Sequence, residues 1–295
     1  MAACCTPGRG PAGSDAAPAP VLTARAADPK HAMVQLEGGA FRMGSDDAWA
    51  YPDDGEAGRP AEVDPFAIDA YAVSNDRFAD FAAATRYVTD AERYGWSFVF
   101  AGLLPDDFAP TRGVAAAPWW RQVEGADWRH PHGPQSDIDG SMDHPVVHVS
   151  FNDALVYCEW AGARLPTEAE WEFAARGGLE AKTFPWGDEL EPEGQHRMNV
   201  WQGAFPAENS RDDGFYGTCP VDAFAPNGYG LHNVTGNVWE WTADWFTPGG
   251  PRVQKGGSYL CHSSYCRRYR PAARQGNEPE SSTGNLGFRC VVDPS

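Results

Sequence analysis

The chain of 295 residues, with 42% hydrophobic and 13% aromatic residues, can bury a sizeable aromatic core in one large domain or two ordinary ones. A formal net charge of -18 repels phosphate backbones and anionic bilayers, which argues against nucleic acid and acidic membrane surfaces as partners. The 32 glycines and 25 prolines are spread along the chain, so many turns and short elements are expected, not long helices or one large sheet. The acidity is first that of a soluble surface, and second a preference for basic peptide substrates.

No stretch approaches the roughly 20 apolar residues of a membrane span. The first residues lack a charged region followed by an apolar core of about 7–15 residues, so no secretory leader is read and a cytoplasmic location is expected. Seven cysteines, an odd number, fit thiols or metal-bound sulfurs better than a complete disulfide framework.

Residues 1–30 are rich in Ala, Pro and Gly and read as a disordered tail, since they carry too few large apolar side chains to offset ordering. One ordered domain is expected over 31–295. Val34-Gln35-Leu36, Gly38-Gly39 and Phe41-Arg42-Met43-Gly44 read as a hairpin. Phe78, Phe81 and Ala82 fall at helical spacing over Asn75 to Thr85, with Ser74 or Asn75 as N-cap. Residues 102–140, with Pro118-Trp119-Trp120 and Trp128 to Pro131, read as a long irregular segment anchored by aromatics. Val146 to Val149 reads as a short strand, followed by a helix from Asn152 or Asp153 through Trp160. Thr167 and Glu170 stand in capping-box spacing at the start of a second helix. Beyond Gly177 loops and short strands are expected.

The richest segment runs from Gly256 to Arg270 and holds Cys261 and Cys266. On an ideal strand these thiols point to opposite faces, and on a helix they lie about 140° apart, so neither regular element lets them meet. A bend across His262-Ser263-Ser264 would join them, and the neighbouring arginines would favour thiolate over thiol. Two converging thiolates suit Cu(I). A structural disulfide or a simple thiol redox pair is equally compatible with the spacing.

This segment resembles the active-site signature of the bacterial-type formylglycine-generating enzymes, the sulfatase-modifying factor family. Asp69 to Asn75, Ala115 to Trp120, Arg164 to Trp171, Asn233 to Trp241 and Gly284 to Cys290 follow in the family's order, so the likeness covers about Met33 to Val292. It implies a single α+β domain with little regular secondary structure, related to the C-type-lectin-like group. It implies an oxidoreductase acting on sulfur: a copper-dependent oxidase with Cu(I) on Cys261 and Cys266 and O2 as co-substrate. An external reductant supplies electrons, and the substrate is the cysteine of a C-x-P-x-R motif in an unfolded or nascent sulfatase. By the same resemblance Ser258, Trp239 and Tyr265 surround the oxygen pocket, and Trp96, Trp119 and Trp120 belong to substrate binding.

Two structural calcium sites are implied, one at Asn199, Val200, Asp213 and Phe215, the other at Asn233, Gly236, Val238 and Glu240. From the residues alone these are ordinary turn and capping chemistry as much as hard-cation ligands. Cys158 and Cys290 match a pair that is disulfide-linked in secreted relatives, and a second such pair falls on Ala175 and Pro271. Cys219 has no assigned role and reads as core. The sequon Asn233-Val234-Thr235 is discounted without a secretory leader.

Ala72 and Trp96 stand where the secreted relatives carry acidic groups for the substrate arginine. Arginine recognition is then expected from other carboxylates or from a cation–π contact, for which Trp96 itself is a candidate. Cys5-Thr6-Pro7-Gly8-Arg9 itself matches C-x-P-x-R, by chance or as a site of self-modification. Three other functions share parts of this pattern. An inactive, sulfatase-binding paralogue would lack the cysteine pair. An iron-dependent sulfoxide synthase would need a carboxylate where Ser150 stands, and Pro145 after His144 disfavours a helix there. A metal-independent thiol-disulfide oxidoreductase remains compatible with the spacing.

Overall fold

The computed structural model describes residues 6–9 and 32–294. The tail expected over 1–30 therefore lies outside the described residues except at Thr6–Arg9, which sit against the body of the domain. β1 (Met33–Leu36), β2 (Gly39–Met43), β3 (Arg59–Val63) and β4 (Phe66–Asp69) open the ordered chain. β1 and β2 are not a hairpin, contrary to the sequence reading. β2 pairs with β3 through Phe41 and Ala61, whereas β1 pairs with β4 through Val34 and Ile68. Gly38, at φ +69, makes this divergence possible: a Cβ there would lie 2.3 Å from the Val63 carbonyl oxygen. The glycine passes the chain from one ladder to another.

α1 (Asn75–Thr85) forms over the expected residues with Ser74 as N-cap, and buries Phe78 and Phe81. α2 (Asp90–Tyr94) follows, opened by a Thr89–Glu92 capping box. The segment read as irregular contributes two strands to a three-stranded sheet. β5 (Trp96–Phe100), β6 (Arg112–Val114) and β7 (Ala117–Glu124) pair in the order β5-β7-β6, with Phe100 opposite Trp120. Pro118 is tolerated in β7 next to an irregularity of the ladder, where no regular donor is required.

The strand expected at Val146–Val149 does not form. His148 adopts φ +60, which breaks the extended run, and the segment makes separate bonds from Val146 N to Val73 O and from His148 N to Thr283 O. α3 (Phe151–Ala161) starts slightly earlier than read, because Ser150 and Asp153 form its capping box. α4 (Glu168–Ala175) opens on the expected Thr167–Glu170 box.

β8 (Gly203–Ala204) and β9 (Glu208–Asn209) form a small ladder. β10 (Trp239–Trp245), β11 (Arg252–Lys255), β12 (Gln275–Asn277) and β13 (Leu286–Gly287) then build a four-stranded sheet in the order β12-β11-β10-β13. β14 (Val291–Val292) returns to β4, so β4 lies between the first and last strands and closes the chain into a single α+β domain.

The main core gathers Phe78, Phe81, Tyr157, Trp239, Trp241 and Phe288, and Cys261 and Cys266 belong to it. Buried ion pairs supplement the short ladders: Glu172 accepts from Lys255 and Arg176, and Arg289 grips Glu240. No helix among the described residues is long and apolar enough to cross a membrane.

Candidate active site

β11 ends in Gly256-Gly257, at φ +93 and +74. A Cβ on Gly257 would lie 2.9 Å from Cα and 3.0 Å from N of Tyr269. Strand exit and returning chain therefore touch backbone to backbone, which only glycine permits in this conformation, and the loop 258–268 is drawn closed. Within it, Cys261 N donates to Ser258 O at 2.8 Å, and Cys266 N and Tyr265 N both donate to His262 O at 2.7 and 3.0 Å. This one turn places the two sulfurs 3.3 Å apart, both buried. A disulfide would bring them to about 2.05 Å. The expected bend across His262–Ser264 is thus the device that joins the pair.

Ser258 is buried beside them: its Oγ accepts from Asn285 Nδ2 at 2.9 Å, and its N–H points to Cys261 Sγ at 3.4 Å. Trp239 shares the core with both sulfurs, and its Nε1 has no hydrogen-bond partner among the described residues. Tyr265 stacks on Phe205 at 4.5 Å and meets the edge of Trp119 at 5.0 Å, so the three rings form one aromatic wall. Phe205 was not read from the sequence, since nothing local ties it to a turn 60 residues on. Trp120 points the other way, as neighbours on a strand must, and is fully buried with Trp201, Tyr259 and Leu260. It supports the wall from beneath and lies out of reach of a peptide. Trp96 is half-buried at the start of β5, with the guanidinium of Arg9 over its ring. Ala72 is buried and offers no polar group.

The neighbouring arginines also reach the loop around residues 49–56. Arg268 bonds Asp54 at 2.5 and 2.9 Å, Arg270 grips the buried Glu56, and Arg267 lies over Trp49 at 3.8 Å. Asp54 and Glu56 thus balance the charge of two of them. Burial pushes the Tyr269 phenol up to about 12, with the nearby Cys261 adding to the effect. Two thiolates in such a place require a compensating cation shared between them, and buried sulfur donors at this separation fit a soft one.

The expected calcium ligands fall into two adjoining sets. A Cβ on Gly236 would lie 2.4 Å from Asn199 O, so the loops that carry them abut. Asp213 accepts from Val200 N, Gln202 Nε2 and Phe215 N at 3.1, 2.9 and 3.0 Å, and burial holds its carboxyl above the usual range. Gln202 Nε2 also donates to the Val200 carbonyl, so both oxygens converge on one electropositive group. This set fits a hard cation. In the second set Asn233 Oδ1 is buried with no hydrogen-bond partner among the described residues, which suits a ligand. Glu240 does not fit through its carboxylate. Both its oxygens are taken, by Arg289 at 2.7 Å on each and by Trp171 Nε1 at 2.7 Å. Among the described residues no three His, Cys, Asp or Glu side chains cluster as a ready metal site.

Cys158 and Cys290 lie 3.6 Å apart at Sγ, and the contact together with burial pushes the Cys290 thiol well up. Cys219 is core, as read, its thiol raised to about 12 by burial.

A loop-rich α+β domain with a buried dithiol on a pinched turn defines the class. The model of the sulfatase-modifying factor enzyme 1-like domain matches residues 18–294, and the chain belongs to that family. It is 56% identical over 283 residues to the formylglycine-generating enzyme of Thermomonospora curvata, covering 89% of this chain and 93% of that one. It is also 48% identical over 269 residues to the inactive C-alpha-formylglycine-generating enzyme 2 of Bos taurus, covering 88% and 87%. Among solved structures, PvdO from Pseudomonas aeruginosa superposes with a TM-score of 0.61 at 24% identity, over 89% of this chain and 94% of that one, which shows the shared fold.

Proposed function

We propose that this protein is a copper-dependent oxidase that converts the cysteine of a C-x-P-x-R segment in an unfolded sulfatase to formylglycine, using O2 and an external reductant. Family membership alone does not decide this, because the bovine relative described as inactive shares it. The observation that carries the reading is the pair of buried sulfurs 3.3 Å apart. Cys261 and Cys266 would hold Cu(I), which supplies a soft centre able to take a further thiolate and to deliver electrons to O2.

The remaining work falls to the chain's own side chains. Ser258, its hydroxyl fixed by Asn285, keeps one polar group beside the sulfurs. Trp239 seals the inner side, and Trp119, Phe205 and Tyr265 form an apolar wall that limits water at the reacting cysteine. Trp96 offers its ring to the client arginine. Calcium would brace the Asp213 loop and the turn at Asn233 and take no part in the chemistry.

A C-x-P-x-R peptide incubated with Cu(I)-loaded protein and reductant in air should lose about 18 Da, the change from CH2SH to CHO. Full conversion with a Cu(I) chelator in excess would favour the metal-independent thiol oxidoreductase instead. An unchanged peptide would favour the inactive paralogue. Cys266→Ser should abolish Cu(I) binding in chelator competition while the fold persists.

A further inference from the structure

Thr6–Arg9 lie in a built seat. Thr6 is buried, its hydroxyl donating to Gln254 Oε1 at 2.9 Å and accepting from Gln275 Nε2. Arg9 N donates to Ser281 Oγ at 3.0 Å. The Arg9 guanidinium lies 4.0 Å above the Trp96 ring and 4.4 Å from that of Tyr94, with Nη2 donating to Trp96 O at 2.5 Å and Ser282 Oγ at 2.9 Å.

The seat is polarised for a donor. His148 Nε2 lies 2.8 Å from the Pro131 carbonyl, which can only accept, so the neutral ring keeps its proton there and Nδ1 accepts from Ser97 Oγ at 2.8 Å. Ser97 Oγ also lies 2.9 Å from the Ser282 carbonyl and 2.8 Å from Ser282 Oγ, and Ser282 Oγ accepts from the guanidinium. The same loop leads to the sulfurs: Thr283 Oγ1 donates to Asn285 Oδ1 at 2.7 Å, and Asn285 holds Ser258 at 2.9 Å. Arg9 Nε and Nη1 are buried without hydrogen-bond partners among the described residues, which keeps the tail's hold on this seat weak.

We infer that the chain's own Thr6–Arg9 occupies the face of Trp96, Tyr94 and Ser282, where the resemblance sets the client arginine, until a client displaces it. The inference rests on the proposed function for the identity of the client. The residue before Thr6 is Cys5, which lies outside the described residues and completes a C-x-P-x-R match in sequence. Tethered through residues 10–31, the tail competes at an effective concentration on the order of millimolar, so a weak contact suffices.

The test is binding of a fluorescent S-x-P-x-R peptide, unable to react, to the full chain and to its Arg9→Ala and Arg9→Lys variants by anisotropy. Arg9→Ala should bind it roughly fivefold or more tightly, Arg9→Lys should fall between, and adding Trp96→Ala should cancel the gain. For the reactive peptide, KM should fall in the same proportion. Equal or weaker peptide binding by Arg9→Ala overturns the inference, whatever the activity. Tighter binding without conversion of the C-x-P-x-R peptide supports the groove and its tail, and counts against the oxidase reading alone.

Discussion

Lowering the pH from about 7.5 to about 5 should destabilise the wild-type fold by about 2 kcal/mol more than it destabilises a His148→Gln variant. His148 is fully buried between Ser97 and Pro131, and burial pulls its pKa from 6.5 down to about 4. The unfolded chain therefore takes up the proton first. This contribution to stability is complete above the unfolded value and drains away as the pH falls toward the folded one. At about pH 5 the two constants give a difference of about 2 kcal/mol.

Asp153 acts with the opposite sign, because burial and the adjacent Asp90 raise its carboxyl to about 7. Its contribution is complete below 3.8 and is lost as the pH rises through about 7. Raw pH curves mix the two, and the His148→Gln comparison, which keeps Asp153, isolates the imidazole. Glutamine retains a donor for Pro131 and does not titrate. Urea unfolding followed by tryptophan fluorescence at both pH values gives the difference, provided the m-values agree. Equal pH losses in the two proteins would refute a buried neutral imidazole.

In the Arg9→Ala background, where the tail no longer competes, Trp96→Ala should weaken peptide affinity about threefold to thirtyfold while slowing copper-bound turnover less, and unchanged affinity there would sink the cation–π role. Gly257→Ala should destabilise the fold by about 2 kcal/mol or more, since φ is +74 and the new Cβ meets Tyr269 backbone at 2.9 Å; Cu(I) affinity measured by chelator competition should drop with it. Calcium removal by a chelator should lower Tm by about 5 °C or more in the wild type and much less in Asp213→Ala, and equal shifts would discard the first calcium site.

Short-range features were legible in the amino-acid sequence. The Thr167–Glu170 box and the Asn75–Thr85 helix appear as read, because caps and helical faces depend on residues three and four apart. The turn between Cys261 and Cys266 belongs with them, since the spacing forbids a regular element and His262 O collects both returning amides. The ordered motifs likewise point to the family from the sequence alone.

Other properties depended on partners far along the chain, which local pattern cannot name. β1 and β2 share one alternation, yet β4 claims the first and β3 the second. The arginines after Cys266 have partners that no local pattern names: Asp54 and Glu56, more than 200 residues earlier, hold two of them. Glu240 read as a calcium ligand until Arg289 and Trp171 enclosed its carboxylate. By itself, then, the sequence determined the thiol pair, the local caps and the family. Only the tertiary structure decided which charges remain to act at the site and that Arg9 lies on Trp96, because a buried charge pairs with whichever counter-group the fold brings within reach, regardless of distance along the chain.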